Sequence, residues 1–272
     1  MRVFACLVAT MMVAGPVSAQ GVLLRINPPQ GQVTHHLMVV ETYMKGGPMA
    51  QMAADTSLPF MRMHGWQTST VTAASGEEHT VTQVIDSMRV ESPGMPQMAA
   101  MIGQVGDMMK GLKTVTRMTS RGQVTSLNVT LPPAAQALAG AQGGAMGMGG
   151  GTGPTMSSFV LLPERPVRVG GTWRDSMTVA LDSAGVSGGA AKFVATFTLK
   201  AMEGRVAVIA LDGVLTMSGT SMPADMALTL TGEEKLDLDA GRVTAVTTAM
   251  SGTAPTAMGD VPMRVTLTMT QW

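Results

Sequence analysis

Apolar and polar residues alternate along several stretches in the second half of the chain. Between Ala191 and Ala201, alanine, phenylalanine and leucine occupy every second position, and mainly lysines and threonines lie between them. The same period of two recurs over residues 226–231, 235–239 and 261–270. Successive side chains of a strand point to opposite faces, so the pattern predicts antiparallel strands with one apolar and one water-facing side.

The first half of the chain shows a noisier version of the same alternation. It predicts five strands, near residues 32–44, 61–72, 79–90, 112–119 and 123–131. The two halves together predict a mainly β fold, built as one or more curved antiparallel sheets or as a half-barrel.

A helical period replaces the alternation in one place, over residues 96–110. Pro96 suits the first turn of a helix, and Lys110 followed by Gly111 suits its end. Apolar side chains recur there every three or four positions and form a single stripe. The stripe consists of Met98, Met101, Ile102, Val105, Met108 and Met109. We therefore expect one amphipathic helix over about 96–110, and Met49–Ala54 is a candidate for a second, short helix.

Short matching segments occur in both halves. Gly122–Thr125 reads Gly-Gln-Val-Thr, and Gly241–Thr244 reads Gly-Arg-Val-Thr. Upstream of each, Ile85-Asp86 matches Leu211-Asp212. These matches predict that the fold contains two diverged β repeats.

A glycine-rich stretch separates the two halves. Residues 139–153 have no periodicity and read AGAQGGAMGMGGGTG. Glycine at this density is typical of a flexible linker. We expect a first β-rich half with the helix over 20–138, a Gly/Met-rich linker over 139–156 and a second β-rich half over 157–272.

The first 19 residues have the composition of a secretory signal peptide. Arg2 is followed by the apolar run Val3–Ala14, and Val17–Ala19 has the small-x-small form that signal peptidase accepts. We expect cleavage after Ala19, so that an exported mature chain begins at Gln20 in the periplasm or outside the cell. No later stretch approaches the about 18 apolar residues of a membrane span, so we expect no transmembrane segment in the mature chain.

Charge and cysteine content exclude several classes of protein. The chain has 18 basic and 18 acidic residues, a balance that argues against nucleic-acid binding. Aromatic residues are only 3% of the chain, too few to form stacking platforms for bases. The single cysteine, Cys6, lies inside the signal peptide, so we expect neither disulfides nor cysteine-ligated metal in the mature protein.

The catalytic motifs in the sequence lack the context that their chemistry needs. Gly185–Gly189 matches Gly-x-Ser-x-Gly, but a strand is predicted after it instead of a helix, and all four histidines lie upstream. His35 and His36 are neighbours on a predicted strand and so point to opposite faces. We therefore predict that the protein is not an enzyme, and we assign no catalytic, cofactor-binding or metal-binding residues.

Methionine is unusually frequent, with 28 residues in the chain. Thioether and imidazole ligands suit copper(I), and Met61, Met63 and His64 bring both together. A strand would, however, place Met61 and Met63 on one face and His64 on the other. Methionine-rich surfaces also adapt to lipids and to protein partners, because the unbranched side chain is flexible.

One segment carries a resemblance to known proteins. Pro166–Trp173 has the form Pro-Val-x-x-Gly-x-x-Trp, and a turn with Asp237 and Gly241 follows the predicted hairpins. In these two features the chain resembles a group of secreted bacterial proteins of unknown function. Those proteins are remotely similar to the lipoprotein-carrier (LolA-like) half-barrels. The resemblance implies curved antiparallel sheets over about residues 30–272 and offers no catalytic residues to transfer.

Three functional hypotheses follow from the sequence. The first is an exported, non-enzymatic β-rich protein that binds a lipid, an acyl chain or an envelope partner in an apolar concavity. The second is a periplasmic methionine-rich protein that binds copper or another soft metal. The third is a structural protein of the envelope. In the first case the methionine stripe is either a core element or a lid over the ligand.

Overall fold

The computed structural model describes residues 21–46, 55–133, 135–136, 158–180, 189–219, 225–256 and 259–272. The predicted signal peptide, the predicted short helix at 49–54, the predicted linker over 139–156 and most of the Gly-x-Ser-x-Gly segment lie outside the described residues. None of the described helices has the length and hydropathy needed to cross a membrane.

The described residues form eleven strands. They are β1 (Val33–Met44), β2 (Met61–Ala74), β3 (Glu78–Glu91), β4 (Lys113–Thr119), β5 (Val124–Thr130), β6 (Thr172–Ala180), β7 (Ala190–Glu203), β8 (Val206–Ser218), β9 (Met226–Asp237), β10 (Arg242–Thr256) and β11 (Gly259–Gln271).

All eleven strands belong to one antiparallel sheet, in the order β5-β4-β3-β2-β1-β11-β10-β9-β8-β7-β6. Neighbouring strands follow one another in the chain everywhere except at the pairing of β1 with β11, which joins the two halves. The sheet curls until its edge strands β5 and β6 approach each other, so the barrel is nearly closed. The predicted mainly β fold is confirmed, and the structure has one curved sheet.

The alternating positions point as the sequence predicts. The inward residues of β7 include Phe193 and Phe197, which are almost completely buried and whose rings pack edge to face with their centres 6.2 Å apart. Burying such a side chain stabilises the fold by about 1.5–3 kcal/mol relative to leaving it in water. The outward lysines of the same strand remain exposed, as Lys200 does.

An N-terminal cap segment, Gly21–Gln32, crosses one end of the barrel. The Ile26 amide donates to the carbonyl of Ser120 in the β4–β5 turn, and the Asn27 amide donates to the carbonyl of Gly241 in the β9–β10 turn. Both turns lie at the same end of the sheet but far apart in the strand order. The cap segment therefore spans this end of the barrel.

A second segment, the inner strap Ser158–Leu162, fills the seam between β5 and β6. Its last four side chains are all buried, which requires cover on both sides of an extended chain. The Leu162 amide donates to the carbonyl of Arg121, next to β5, and the Trp173 indole on β6 donates to the carbonyl of Leu161 at 2.6 Å. The strap thus bridges the two edge strands from within.

A helix, α1 (Ala99–Met109), follows a 3-10 turn at Pro96–Met98 and packs against β3. The predicted helix over about 96–110 is confirmed. Of the predicted stripe, Met108 and Met109 are half-buried, and Met109 packs against the core. The side chains of its other four members lie outside the described residues, so the choice between a core element and a lid stays a prediction.

The matching segments of the two halves occupy corresponding places. Asp86 lies on the third strand of the first half, and Asp212 lies on the third strand of the second half. Gly122 and Gly241 each end the turn between the fourth and fifth strands of their half, with φ of 86° and 63°. Glycine adopts this left-handed conformation without the steric penalty of a side chain. This correspondence supports the predicted pair of β repeats.

Candidate functional site

A cavity of about 110 Å³ lies inside the barrel, under the cap segment. A dry engineered cavity of about 150 Å³ is enough to hold benzene, so this space suits a small molecule or a few waters. The cap contributes Ile26, Pro28 and Gln32 to its walls, and the strap contributes Ser158 and Val160. The remaining lining residues come mainly from the first four strands and from the start of β5 and β10.

A row of polar side chains crosses the inner face of the four strands β1–β4. Thr34 lies opposite Ser69, Ser69 lies opposite Gln83, and Gln83 lies opposite Thr114. All four are buried, although inward positions of a sheet are normally apolar. The first three members of this row line the cavity.

Several buried polar atoms of residues that line the cavity have no hydrogen-bond partner among the described residues. They are Gln32 Oε1, His36 Nδ1, Ser69 Oγ and Thr116 Oγ1. One further buried atom of this kind, Thr248 Oγ1, belongs to a residue that does not line the cavity. Leaving a buried polar atom without a partner costs about 1–3 kcal/mol, so a cluster of them around one space suits a bound molecule or water that hydrogen-bonds to them.

His36 is the most perturbed histidine of this wall. Its Nε2 and the hydroxyl of Thr34 are hydrogen-bonded at 2.9 Å. Burial, followed by the positive charges of Arg242 and His35, lowers the pKa of His36 to about 4. Burial also lowers the pKa of His79, which lines the cavity at the start of β3. Both imidazoles are therefore neutral at pH 7.

Arg242 is the positively charged residue of the cavity wall. Its Nε donates to Gln271 Oε1 at 3.1 Å, and Gln271 lies opposite His36 in the sheet. No acidic side chain of the described residues forms an ion pair with this half-buried guanidinium. By contrast, the half-buried Arg62 and Arg121 each have a carboxylate partner, at 2.7 Å and 2.6 Å.

A fully buried carboxyl group, Glu234, holds the inner strap in place. One of its oxygens accepts from the Ser158 hydroxyl at 2.5 Å, and the other accepts from the Phe159 amide at 2.7 Å. Burial raises the pKa of Glu234 to about 7, although these hydrogen bonds act in the opposite direction. Because Ser158 also lines the cavity, the Glu234 contact fixes one part of its wall.

The residues that the sequence singled out as metal candidates lie as predicted. Met61 and Met63 point inward, whereas His64 lies on the outer face and stacks on Trp66 with ring centres 6.3 Å apart. His35 is exposed and His36 buried, so the prediction that they point to opposite faces is confirmed. Over the part of the chain that the structure describes, no three His, Cys, Asp or Glu side chains could share a metal ion.

Sequence reasoning missed the polar residues of the barrel interior. His36 is in phase with Met38 and Val40, and Glu234 is in phase with Leu230 and Leu236. A polar residue at an apolar position of the alternation was therefore the signal that could have found them.

The arrangement has the chemistry of a binding site. Neutral hydrogen-bonding groups and one cation surround a small space whose other walls are valine, isoleucine, leucine and methionine. Ligand pockets combine an apolar lining with a few polar groups that fix the orientation of the ligand.

The resemblance to proteins of unknown function is supported by a match to a family model. No curated protein matches this chain. The similarity to lipoprotein carriers stays a prediction, which the nearly closed barrel is consistent with. Residues 154–243, about a third of the 272-residue chain and including Ser158, Glu234 and Arg242, match the model of a family of unknown function (DUF6263).

Proposed function

We propose that this is an exported, non-enzymatic binding protein that holds a small ligand inside its barrel, under the cap segment. The observation that carries the proposal is the convergence of four unpartnered buried polar atoms on one cavity. They lie on the cap segment and on three strands, so no single local distortion accounts for them. A ligand that hydrogen-bonds to them would remove the cost of their burial.

The size of the cavity limits the ligand. Pockets for drug-sized ligands typically measure about 300–1,000 Å³, well above the about 110 Å³ found here. A long acyl chain therefore fits only if the cap segment moves away. A small amphiphilic molecule fits the barrel as it stands, and the signal-like residues 1–19 support its capture outside the cytoplasm.

Native mass spectrometry of the protein purified from its own cells tests this proposal. We expect a bound small molecule in the wild type, and we expect Val71→Phe to lose it because the added ring fills the cavity that Val71 lines. Thr72→Phe on the exposed face of the same strand is the matched control and should keep the ligand.

A second variant guards against misfolding, since overpacking a core costs about 1–3 kcal/mol. Thr116→Val keeps the shape of the cavity wall but removes one of its hydroxyls, so it should fold and bind the ligand more weakly. A wild-type protein that carries only ordered water in the cavity would contradict the proposal.

A further inference from the structure

We infer that the ligand of this cavity is a small amphiphile with one anionic head group, and that Arg242 together with His36 and Ser69 forms the head-group site. This inference rests on the proposed function and names the ligand class for the same cavity. A short-chain carboxylate is the simplest molecule of this class.

The charge of Arg242 favours an anionic ligand. A half-buried cation is stabilised by an anion at hydrogen-bonding distance, and Arg62 and Arg121 have such partners within the protein. Arg242 has none among the described residues, and its Nε is already used by Gln271. The terminal nitrogens of the guanidinium are the groups that a bound anion would meet.

The buried acid behind the strap, Glu234, does not supply this anion. Glu234 directs both of its oxygens at the strap, to Ser158 and to the Phe159 amide. Burial raises the pKa of Glu234 to about 7, so a large share of this group is uncharged near neutral pH.

Most of the unpartnered groups at the cavity can donate hydrogen bonds. The neutral imidazole of His36 can accept from Thr34 at Nε2, which places its proton on the unpartnered Nδ1. The hydroxyls of Ser69 and Thr116 rotate freely enough to donate as well. Three of the four unpartnered groups can thus donate beside one cation, which matches the acceptor-only oxygens of a carboxylate, whereas the fourth, Gln32 Oε1, only accepts.

The remainder of the cavity is apolar. Apart from the polar groups, its walls come mainly from branched aliphatic side chains on the cap, the strap and both halves of the sheet. They include Ile26, Val71, Val81, Val124, Val160 and Val179. Such a lining suits a short hydrocarbon body attached to the head group.

Binding of butanoate and of 1-butanol, which share a chain length but not a charge and are no larger than benzene in heavy atoms, tests the inference on the full mature protein at pH 7. Calorimetry should show butanoate binding at least about tenfold tighter than 1-butanol, because only the carboxylate forms charge-assisted hydrogen bonds with Arg242. Arg242→Gln should remove most of this preference, because it weakens butanoate binding far more than 1-butanol binding. Arg264→Gln, at an exposed arginine of β11, is the matched control and should change neither.

Two further variants keep the test decisive if Arg242→Gln folds poorly. Arg242→Lys keeps the charge and should keep most of the preference for butanoate, and Ser69→Ala should weaken butanoate binding severalfold. Equal affinity for both probes would overturn the anionic head group and leave the proposed function standing. Failure of both probes to bind, in a protein whose cavity holds only water, would overturn both.

Discussion

Glu234 should make the stability of this protein depend on pH in a way that one substitution removes. In the folded protein its carboxyl group is fully buried, and burial raises its pKa from 4.5 to about 7. The folded state therefore binds this proton more tightly than the unfolded state does. The stabilisation of the folded state by protonated Glu234 is fully present below about pH 4.5 and is lost as the pH rises through about 7.

The magnitude follows from the difference between the two pKa values. At about 1.4 kcal/mol per pH unit, a rise from 4.5 to about 7 corresponds to about 3 kcal/mol of unfolding free energy. The pKa of His36 is lowered to about 4, so it acts in the opposite sense, and its contribution falls as the solution is acidified. The wild type alone therefore shows the sum of both effects.

Glu234→Gln isolates the carboxyl group. Glutamine can still accept from the Phe159 amide and can hydrogen-bond to Ser158, but it does not titrate. Urea unfolding over about pH 4.5–8 should show the wild type losing about 3 kcal/mol relative to the variant as the pH rises. Glu233→Gln, at the outward neighbour that pairs with Lys200, should follow the wild type. Parallel stability curves for the wild type and Glu234→Gln would refute the reasoning.

Three further predictions concern other parts of the chain. Gly106→Ala should destabilise the protein by about 1–3 kcal/mol in urea unfolding, because the new Cβ would lie 2.5 Å from the Met88 carbonyl oxygen; Gly103→Ala, with nothing within 4 Å, should instead stabilise α1 by up to about 1 kcal/mol. N-terminal sequencing of protein from the producing cell should find Gln20 first, and an intact Met1 would contradict export. Limited proteolysis should cut first between residues 136 and 155, and first cuts within 191–270 would contradict the predicted linker.

The sequence predicts the strands well where one face is apolar and the other is not. β7 and β11 follow the alternation along most of their length, because large apolar side chains face the core and lysines or threonines face water. β10 gives a weaker signal, because alanine and threonine occur on both of its faces. Its place in the sheet depends on pairing with β9 and β11, which local periodicity does not report.

The interior of the barrel was much harder to predict. The apolar residues Phe159–Leu162 show no period. Nothing in the local sequence indicates that this segment lies in the interior of the barrel and is not a strand of the sheet. The cavity arises where polar side chains from distant parts of the chain meet, such as Thr34 and Gln83 on either side of Ser69. Single polar residues at apolar positions of the alternation indicate polar sites in the interior. Which of these residues meet, however, depends on the order of the strands in the sheet.

The cap segment and the inner strap tie the two halves of the chain to each other. The cap precedes β1 but bonds to Gly241 of the second half, and the strap precedes β6 but lies against Gly122 of the first half. Each half therefore contributes a segment that packs against the other half, as the exchanged segments of a domain-swapped dimer do. The polypeptides 20–138 and 157–272, produced separately, should each fold poorly alone and should assemble into one particle when they are expressed together.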